Sequence, residues 1–520
     1  MTHGPTQYDR VLYPSRPHAQ THPDRLATKG TLLAMEPAPV EQCRVLELGC
    51  GAGGNLIPMA CGLPKSRFVG IDLASRPIEQ GQRLVAELGL QNISLQQRSI
   101  TDVSEGFGEF DYIIAHGVYS WVPAAVRDKI LAICRAHLAP QGIAFVSYNA
   151  YPGSHLRDML RQMMLFHIQG QEDAQVRVQQ ALALAKLLAD AEDTGDLYRR
   201  FMKDALQEML DHDEGHLYHD ELAEINCPVY FHQFFNHARQ HDLQYLGEAD
   251  YGEKQDHLCS PELSDALRGL SRILREQYLD FVKCRRFRQT LLCHAHVTLD
   301  LNPKPEAMKR FYFSSATRCA SEKPDPASKT VEKFRGQRTA SIETDFPLAK
   351  AALLIMSEIW PQALPFPELL ARARSRIGVH SQALDTANEE ALALGEILLK
   401  IYASGLVELH VHAPQYSRSP SERPMASPLA RWQVRHEETV TNLCHTSIVL
   451  EDKVGQHLLS LLDGTRNRAA LLQELRAFIS ARQAEAGSDQ SRTDLPSDEN
   501  LAVQLENSLS MMARYALLVA

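Results

Sequence analysis

A glycine-rich turn after an apolar strand holds the residues best suited to chemistry in this 520-residue chain. The strand Arg44–Leu48 includes Glu47, and a helix is predicted over Asn55–Cys61. Between them stand Gly49, Gly51, Gly53 and Gly54. Glycines at such a turn let a ligand approach the backbone closely, and the helix N-terminus offers free N–H groups. A second strand, Arg67–Asp72, ends in an acid placed to hold ribose hydroxyls. These residues together predict a nucleotide-binding site.

The spacing of the glycines fits two kinds of nucleotide. Gly49, Gly51 and Gly54 match the dinucleotide fingerprint Gly-x-Gly-x-x-Gly. The same stretch also matches Glu-x-Gly-x-Gly-x-Gly, the loop of methyltransferases that use S-adenosylmethionine. Glu47 favours the second ligand, because a carboxylate there would repel a pyrophosphate but not a sulfonium with an amino group. Asp72 does not separate NAD from S-adenosylmethionine.

The elements around this turn alternate between strand and helix from residue 43 to residue 150. Such alternation is typical of a parallel twisted sheet with helices on both faces, and ligands bind at the carboxyl ends of its strands. The predicted strands are Arg44–Leu48, Arg67–Asp72, Ile93–Arg98, Phe110–His116 and Ile143–Tyr148, and the predicted helices are Asn55–Cys61, Arg76–Leu88 and Val126–Leu138.

Two further groups of residues follow the ends of these strands. Ser99 and Ile100 come directly after the third strand. His116, Tyr119 and Trp121 come after the fourth, and they place imidazole, phenol and indole where a methyl acceptor would stand. The two larger rings could hold an alkyl-ammonium by cation–π attraction, or they could simply fill the core.

Composition narrows the class of protein. A net charge of −10 argues against non-specific nucleic-acid binding as the main task. Ten cysteines without a Cys-x-x-Cys pair favour reduced thiols and a cytoplasmic location. No run of 18 apolar residues is present, so no membrane span is expected. Cysteine and histidine spacing gives no good zinc pattern, and we expect no metal site.

The chain divides into several predicted segments. Residues 1–154 hold the nucleotide site behind an N-terminal arm, which includes Tyr13 and is either a packed arm or a lid. Residues 155–212 show helical periodicity and could cover the sheet or form a dimer contact. Residues 213–319 are rich in aromatic residues and histidine, and a polar linker is predicted over 320–345. Helices followed by a strand predict a winged-helix-like module at 346–412, and a last such module is predicted at 430–520.

Several blocks of sequence resemble a known family. The first is Leu46-Glu47-Leu48-Gly49-Cys50-Gly51 with Val69-Gly70-Ile71-Asp72-Leu73, which class I methyltransferases share. A more specific block is His116-Gly117-Val118-Tyr119-Ser120-Trp121-Val122-Pro123, followed by Tyr151-Pro152-Gly153. With these blocks the chain resembles bacterial methyltransferases that carry a methyltransferase regulatory domain, among them the rickettsial-type protein-lysine methyltransferases.

The resemblance implies an α/β fold: a Rossmann-like class I methyltransferase domain at 1–154, a mostly helical middle with a regulatory domain at 213–319, and C-terminal winged-helix-like modules. It implies an enzyme that uses S-adenosyl-L-methionine on a protein or peptide substrate, at lysine, and it suggests a homodimer. A small-molecule or lipid acceptor, or a cofactor-binding scaffold with little turnover, are the alternatives.

The implied site has three parts. The expected cofactor-binding residues are Glu47, Gly49, Gly51, Gly53, Asp72, Ser99, Ile100 and His116. The expected substrate-binding residues are Tyr13, Tyr119 and Trp121, and the expected catalytic residues are His116, Tyr119 and Trp121. Many class I enzymes have an acid directly after the third strand, near adenine. Here Ser99 stands there and Asp102 lies further on, so the residue that faces adenine is left open.

Overall fold

Seven strands form the sheet around which the first half of the chain is built. The computed structural model describes residues 6–190, 196–211, 214–250, 260–336, 340–379, 384–413, 416–485 and 497–519. The strands are β1 Arg44–Leu48, β2 Arg67–Asp72, β3 Ile93–Gln97, β4 Phe110–Ala115, β5 Leu138–Asn149, β6 Leu243–Glu248 and β7 Phe287–His294. Their order is β3-β2-β1-β4-β5-β7-β6.

The first five strands are parallel, as the alternating pattern predicts. Strand β4 is buried along its whole length, which is the expected pattern for a parallel strand covered on both faces. The helices of this region are α1 Gln7–Arg10, α2 Pro23–Leu32, α3 Leu56–Gly62, α4 Ser75–Glu87 and α5 Ala124–His137. The Rossmann-like part of the fold prediction is therefore confirmed.

The helical region that follows has its own core. Helices α6 Ser154–His167, α7 Ala174–Ala189 and α8 Leu197–Leu210 pack through Leu160, Val178 and Leu206. The next elements are α9 Glu214–His216, α10 Phe231–Gln240, α11 Pro261–Arg268 and α12 Arg272–Lys283. Strands β6 and β7 of this region join the sheet in antiparallel pairing beside β5. The middle region is thus fused to the parallel sheet.

A third core lies beyond residue 300. Its strands are β8 Tyr312–Ser314, β9 Arg318–Cys319, β10 Glu332–Arg335, β11 Ser341–Thr344, β12 Leu364–Pro365 and β13 Glu408–His410, and its helices are α13 Pro347–Ile359, α14 Phe366–Arg376 and α15 Leu384–Ala403. Strands β10 and β11 lie inside the segment predicted as a polar linker, and together with β9 they form an antiparallel sheet. That prediction is wrong, because Phe334 of β10 is fully buried in the core.

The C-terminal part contains β14 Met425–Ala426, α16 Pro428–Gln433, β15 Thr439–Thr441, β16 Ser447–Val449, α17 Lys453–Leu461, α18 Arg468–Glu485, α19 Asp498–Arg514 and β17 Leu518–Val519. Its core joins all four helices, for example through Leu459, Leu475 and Leu509. Among the described residues, none of the helices is both long and apolar enough to cross a membrane. The domain boundaries stay predictions, and the one at 212–213 lies outside the described residues.

Candidate functional site

The turn after β1 keeps its glycines for backbone reasons. Gly49, Gly51 and Gly53 all have positive φ angles, of 76°, 54° and 77°, which other residues adopt at a cost. A Cβ atom at Gly49 would lie 2.5 Å from the side chain of Val118. A Cβ at Gly51 would meet no described atom within 4 Å. The turn therefore packs tightly against the segment after β4 and presents an open face at Gly51.

Two carboxylates flank this open face. Glu47 is 4% exposed, its Oε1 accepts a hydrogen bond from Asn55 Nδ2 at 2.8 Å, and its Oε2 has no partner among the described residues. Burial raises the pKa of Glu47 to about 8. Asp72 Oδ2 accepts from the N–H of Gly51 at 2.9 Å, and burial raises its pKa too. A buried oxygen without a donor is costly, so Glu47 fits a site for a cationic ligand group.

Asn55 joins three distant parts of the chain at this turn. Its Oδ1 accepts from the N–H of His18 at 3.0 Å and from His445 Nε2 at 2.8 Å. Its Nδ2 donates to Thr21 Oγ1 at 2.9 Å and to Glu47. His445 is 4% exposed and has a φ of 59°, a left-handed conformation that is uncommon outside glycine. The C-terminal domain therefore reaches the side chain that orients Glu47.

The N-terminal arm lies across the same turn. The N–H of Gly54 donates to Ser15 Oγ at 2.8 Å, and a Cβ at Gly54 would lie 2.5 Å from the Ser15 backbone. Asp9 Oδ1 accepts from the N–H of Arg76 at the start of α4. Burial, together with nearby carboxylates that include Asp72, raises the pKa of Tyr8 to about 12. The arm is packed over the glycine turn, a position that also suits a lid.

A pocket of about 420 Å³ opens beside the end of β4. Three of the expected residues, Tyr13, His116 and Trp121, line it together. His116 Nδ1 is 2.9 Å from Ser147 Oγ, which accepts from the N–H of Gly117. Burial, with some help from His18, lowers the pKa of His116 well below its usual value. The imidazole is therefore neutral, and it adds no positive charge to the pocket.

Acidic groups complete the lining of this pocket. Glu208, Asp220 and Glu221 line it with Arg157 and Arg286. Glu221 Oε1 accepts from Arg157 Nε at 2.7 Å, and Glu221 Oε2 is buried without a partner among the described residues. Glu208 accepts two hydrogen bonds from Arg286, at 2.6 and 3.1 Å. Three carboxylates against two guanidiniums leave an excess of negative charge, which suits a cationic guest.

Tyr119 does not reach the pocket. It is 2% exposed, its ring packs edge-on against Phe234, and its hydroxyl lies 2.8 Å from His237 Nδ1. The structure therefore places Tyr119 in the core. Of the two roles that the sequence allows for this ring, holding an alkyl-ammonium or filling the core, it has the second. Ser99 caps a short 3₁₀ turn by accepting from the N–H of Thr101, and Ile100 packs on the core beside β4.

Comparison with protein families assigns three parts of the chain. Residues 45–142 match a methyltransferase domain, residues 213–294 match a predicted methyltransferase regulatory domain, and residues 422–517 match the C-terminal winged helix domain of PKMT. The uncharacterized protein RP789 of Rickettsia prowazekii is 33% identical over 91% of this chain and 86% of its own length. The chain belongs to this family of class I S-adenosylmethionine-dependent methyltransferases.

Two further relatives agree with this assignment. PKMT2 from Rickettsia typhi, solved in complex with AdoHcy, superposes with a TM-score of 0.87 at 28% identity, over 98% of this chain and 100% of that one. The uncharacterized protein RP028 of Rickettsia prowazekii is 38% identical, over 46% of this chain and 96% of its own. The methyltransferase, the cofactor class and the C-terminal winged helix expected from the sequence are thus confirmed, and the module at 346–412 stays a prediction.

Several residues of the site were not expected from the sequence. Asn55 was predicted only as the first residue of a helix. His445, its hydrogen-bond partner, lies 390 residues away from it. Glu221 belongs to a segment that the sequence marks by its histidine and aromatic residues, and its carboxylates were not predicted as part of a site. One signal for Asn55 is present in the sequence, since it is the polar residue that stands between the glycines and the first residue of α3. No local pattern points to His445.

Proposed function

We propose that this methyltransferase transfers the methyl group of S-adenosylmethionine to the side-chain amine of lysine in a protein substrate. The observation that carries the proposal is the pocket beside His116. It combines the indole of Trp121 with a surplus of carboxylate groups, directly after β4 and next to the glycine turn. A protonated lysine is attracted by both features. PKMT2, whose structure was solved with AdoHcy, supports the same cofactor for this chain.

The residues of the turn fit the cofactor. The partnerless Oε2 of Glu47 is suited to the amino group of the methionine moiety, and the open face at Gly51 leaves room for the ligand. Asp72 lies where ribose hydroxyls are held in doubly wound nucleotide folds. Ser99 and Ile100 follow β3, at the adenine end of such a site. When bound, the cofactor supplies an electrophilic methyl group with its own leaving group.

The lysine amine must be neutral when it attacks the methyl group. Lysine has a reference pKa of ~10.4, so only about one in 10³ is neutral at pH 7. The carboxylates of Asp220 and Glu221 attract the cation to the pocket. Loss of water around the amine once it is enclosed lowers its pKa, so that its proton can leave to solvent before the transfer. Neutral His116 does not repel the approaching cation. Tyr13 and Trp121 position the alkyl chain so that the lone pair faces the methyl group.

The decisive experiment follows the methyl group. Purified enzyme is incubated with a cell lysate and S-adenosylmethionine labelled in its methyl group, and the products are mapped by mass spectrometry. We expect label on lysine side chains, and Glu47→Gln as the matched variant should reduce it at a limiting concentration of S-adenosylmethionine. Label on a small molecule or lipid alone would show that the acceptor is wrong. Wild-type enzyme that binds no AdoHcy in calorimetry would exclude the cofactor assignment for this chain.

The helical region offers a contact for a second copy of the chain. Phe166, Leu187 and Leu197, on α6, α7 and α8, are 80%, 69% and 79% exposed. Large apolar side chains exposed on the outside of this three-helix region favour an interaction surface there. We propose that this surface forms a homodimer. Light scattering after size-exclusion chromatography should give twice the mass of one chain for the wild type and the mass of one chain for Phe166→Asp. A monomeric wild type would exclude the dimer.

A further inference from the structure

A second cavity, of about 1130 Å³, lies between the core beyond residue 300 and the C-terminal domain. Strands β9 and β10, the end of α13, the β15–β16 hairpin and helix α19 all contribute to it. Its lining shares no residue with the pocket beside His116. The cavity is therefore separate from the site of the proposed reaction.

Arginine dominates the charge of this cavity. Arg25, Arg318, Arg335 and Arg514 line it, and Glu408 is the one carboxylate among its lining residues. Glu408 is already paired with Arg25 at 2.6 Å. The guanidinium groups of Arg318, Arg335 and Arg514 have no ion pair or hydrogen bond with the described residues. Three positive charges thus face one cavity in a chain whose net charge is −10.

The arrangement of two of these arginines costs stability. Arg318 of β9 and Arg335 of β10 are direct cross-strand partners in an antiparallel pair. Like charges in directly opposed positions of a sheet repel each other and destabilise the pairing. An anion that accepts hydrogen bonds from both guanidinium groups would remove this repulsion. The pair therefore points to an anionic ligand rather than to a role in the fold.

The other lining residues indicate a peptide. Trp360, Met511 and Tyr515 stand beside the arginines, and the last two are 47% and 46% exposed. Arginine binds carboxylates through its forked donors, and aromatic residues with arginine supply most of the strong contacts in protein interfaces. The cavity is also larger than a site for one small molecule requires.

We propose that this arginine cleft, formed by Arg318, Arg335 and Arg514 with Trp360, binds an acidic peptide segment. The segment belongs to the protein acceptor, and this second statement rests on the proposed function. The cleft then holds the acceptor by an acidic stretch while a lysine elsewhere in the same protein enters the pocket beside His116. Binding at the cleft itself needs neither cofactor nor methyl transfer, so it can be tested alone.

The probe is a fluorescein-labelled peptide of ten residues in which glutamate alternates with alanine. Fluorescence polarisation with full-length wild-type enzyme should show binding that weakens as salt rises, because exposed charges are screened. The variant Arg318→Gln/Arg335→Gln/Arg514→Gln should bind at least about tenfold more weakly, since exposed charge pairs each contribute up to about fivefold. A peptide with glutamine in place of glutamate should show no saturable binding.

The matched control removes three arginines from other surfaces, Arg67→Gln/Arg200→Gln/Arg239→Gln, and changes net charge by the same amount. It should bind the acidic peptide as the wild type does. Equal affinity of the cleft variant and this control would overturn the proposal. So would full displacement of the peptide by millimolar inorganic phosphate, or tighter binding of a ten-nucleotide RNA. AdoHcy calorimetry on each variant tests the proposed function separately, and we expect it to be unchanged.

Discussion

Replacing Asn55 by alanine should loosen three regions of the chain at once. The substitution removes the acceptor for the His18 N–H and for His445 Nε2, and the donor to Glu47 Oε1 at 2.8 Å. Thr21 keeps a second hydrogen bond, to the His18 carbonyl at 2.8 Å. Glu47 and His445 are both 4% exposed, so water does not easily replace the lost partner.

The magnitude follows from these two buried groups. Each buried polar group left without a partner costs about 1–3 kcal/mol, so loss of the Asn55 acceptor should lower the free energy of opening the His445 hairpin by about 1–3 kcal/mol. Amide hydrogen exchange reports such local opening directly. Exchange around residues 442–446 should accelerate about thirtyfold, the equivalent of about 2 kcal/mol in the middle of that range. Loss of the hydrogen bond that orients Glu47 should weaken AdoHcy binding about tenfold, or about 1.4 kcal/mol.

Asn92 provides the matched control. Its Nδ2 donates to the carbonyls of Ala60, Leu63 and Ser66, each at 3.1 Å, so Asn92→Ala also removes a half-buried amide from the same domain. This control should change neither exchange near residue 445 nor AdoHcy affinity. If Asn55→Ala matches the control in both measurements, the reasoning about the shared side chain is refuted. A double-mutant cycle with His445→Ala should show coupling of about 1 kcal/mol.

Three more predictions concern the two halves of the site. Burial raises the pKa of Glu47 to about 8, so the stability of the ligand-free protein should fall as pH rises from about 4.5 to 8. Glu47→Gln should abolish this fall of melting temperature with pH. The same variant should weaken AdoHcy binding about tenfold. Gly54→Ala should displace the arm, because its Cβ would lie 2.5 Å from the Ser15 backbone, and limited proteolysis should then cut the arm faster. Trp121→Ala should raise KM for the acceptor about tenfold, whereas Tyr119→Phe should leave turnover unchanged and cost about 1 kcal/mol of stability.

The parallel sheet could be predicted because each strand carries its own local signal. Strands β1 and β2 begin and end at the predicted residues, and β4 differs from its prediction by one residue. The linker prediction failed for a reason that is also physical. In β10 the residues alternate between buried and more exposed positions around Phe334, but the strand has only four residues. Four residues with one aromatic are too few to outweigh the surrounding charged and proline-rich sequence.

The glycine turn and the pocket differ in how well the sequence predicts them. The turn comes from residues close together in the chain, so glycine spacing with Glu47 and Asp72 predicts it. The pocket needs Glu221 beside Trp121, a hundred residues apart, and the sequence offers no pairing signal between them. Tyr119 and Trp121 show that the sequence also does not predict the direction in which a side chain points. Both belong to one short 3₁₀ turn, yet one side chain enters the core and the other the pocket.

Asn55 connects the C-terminal domain to the glycine turn, where we propose that the cofactor binds. A nucleotide-binding turn needs only glycines and two acids to hold its ligand, and such a turn can work in an isolated domain. Here the side chain that orients Glu47 also receives a hydrogen bond from His445, whose φ of 59° is a left-handed conformation that costs energy outside glycine. Removal of the winged helix would leave Asn55 short of one donor and expose the turn beneath the arm. The fold therefore ties the geometry of Glu47 to the docking of a domain almost four hundred residues away.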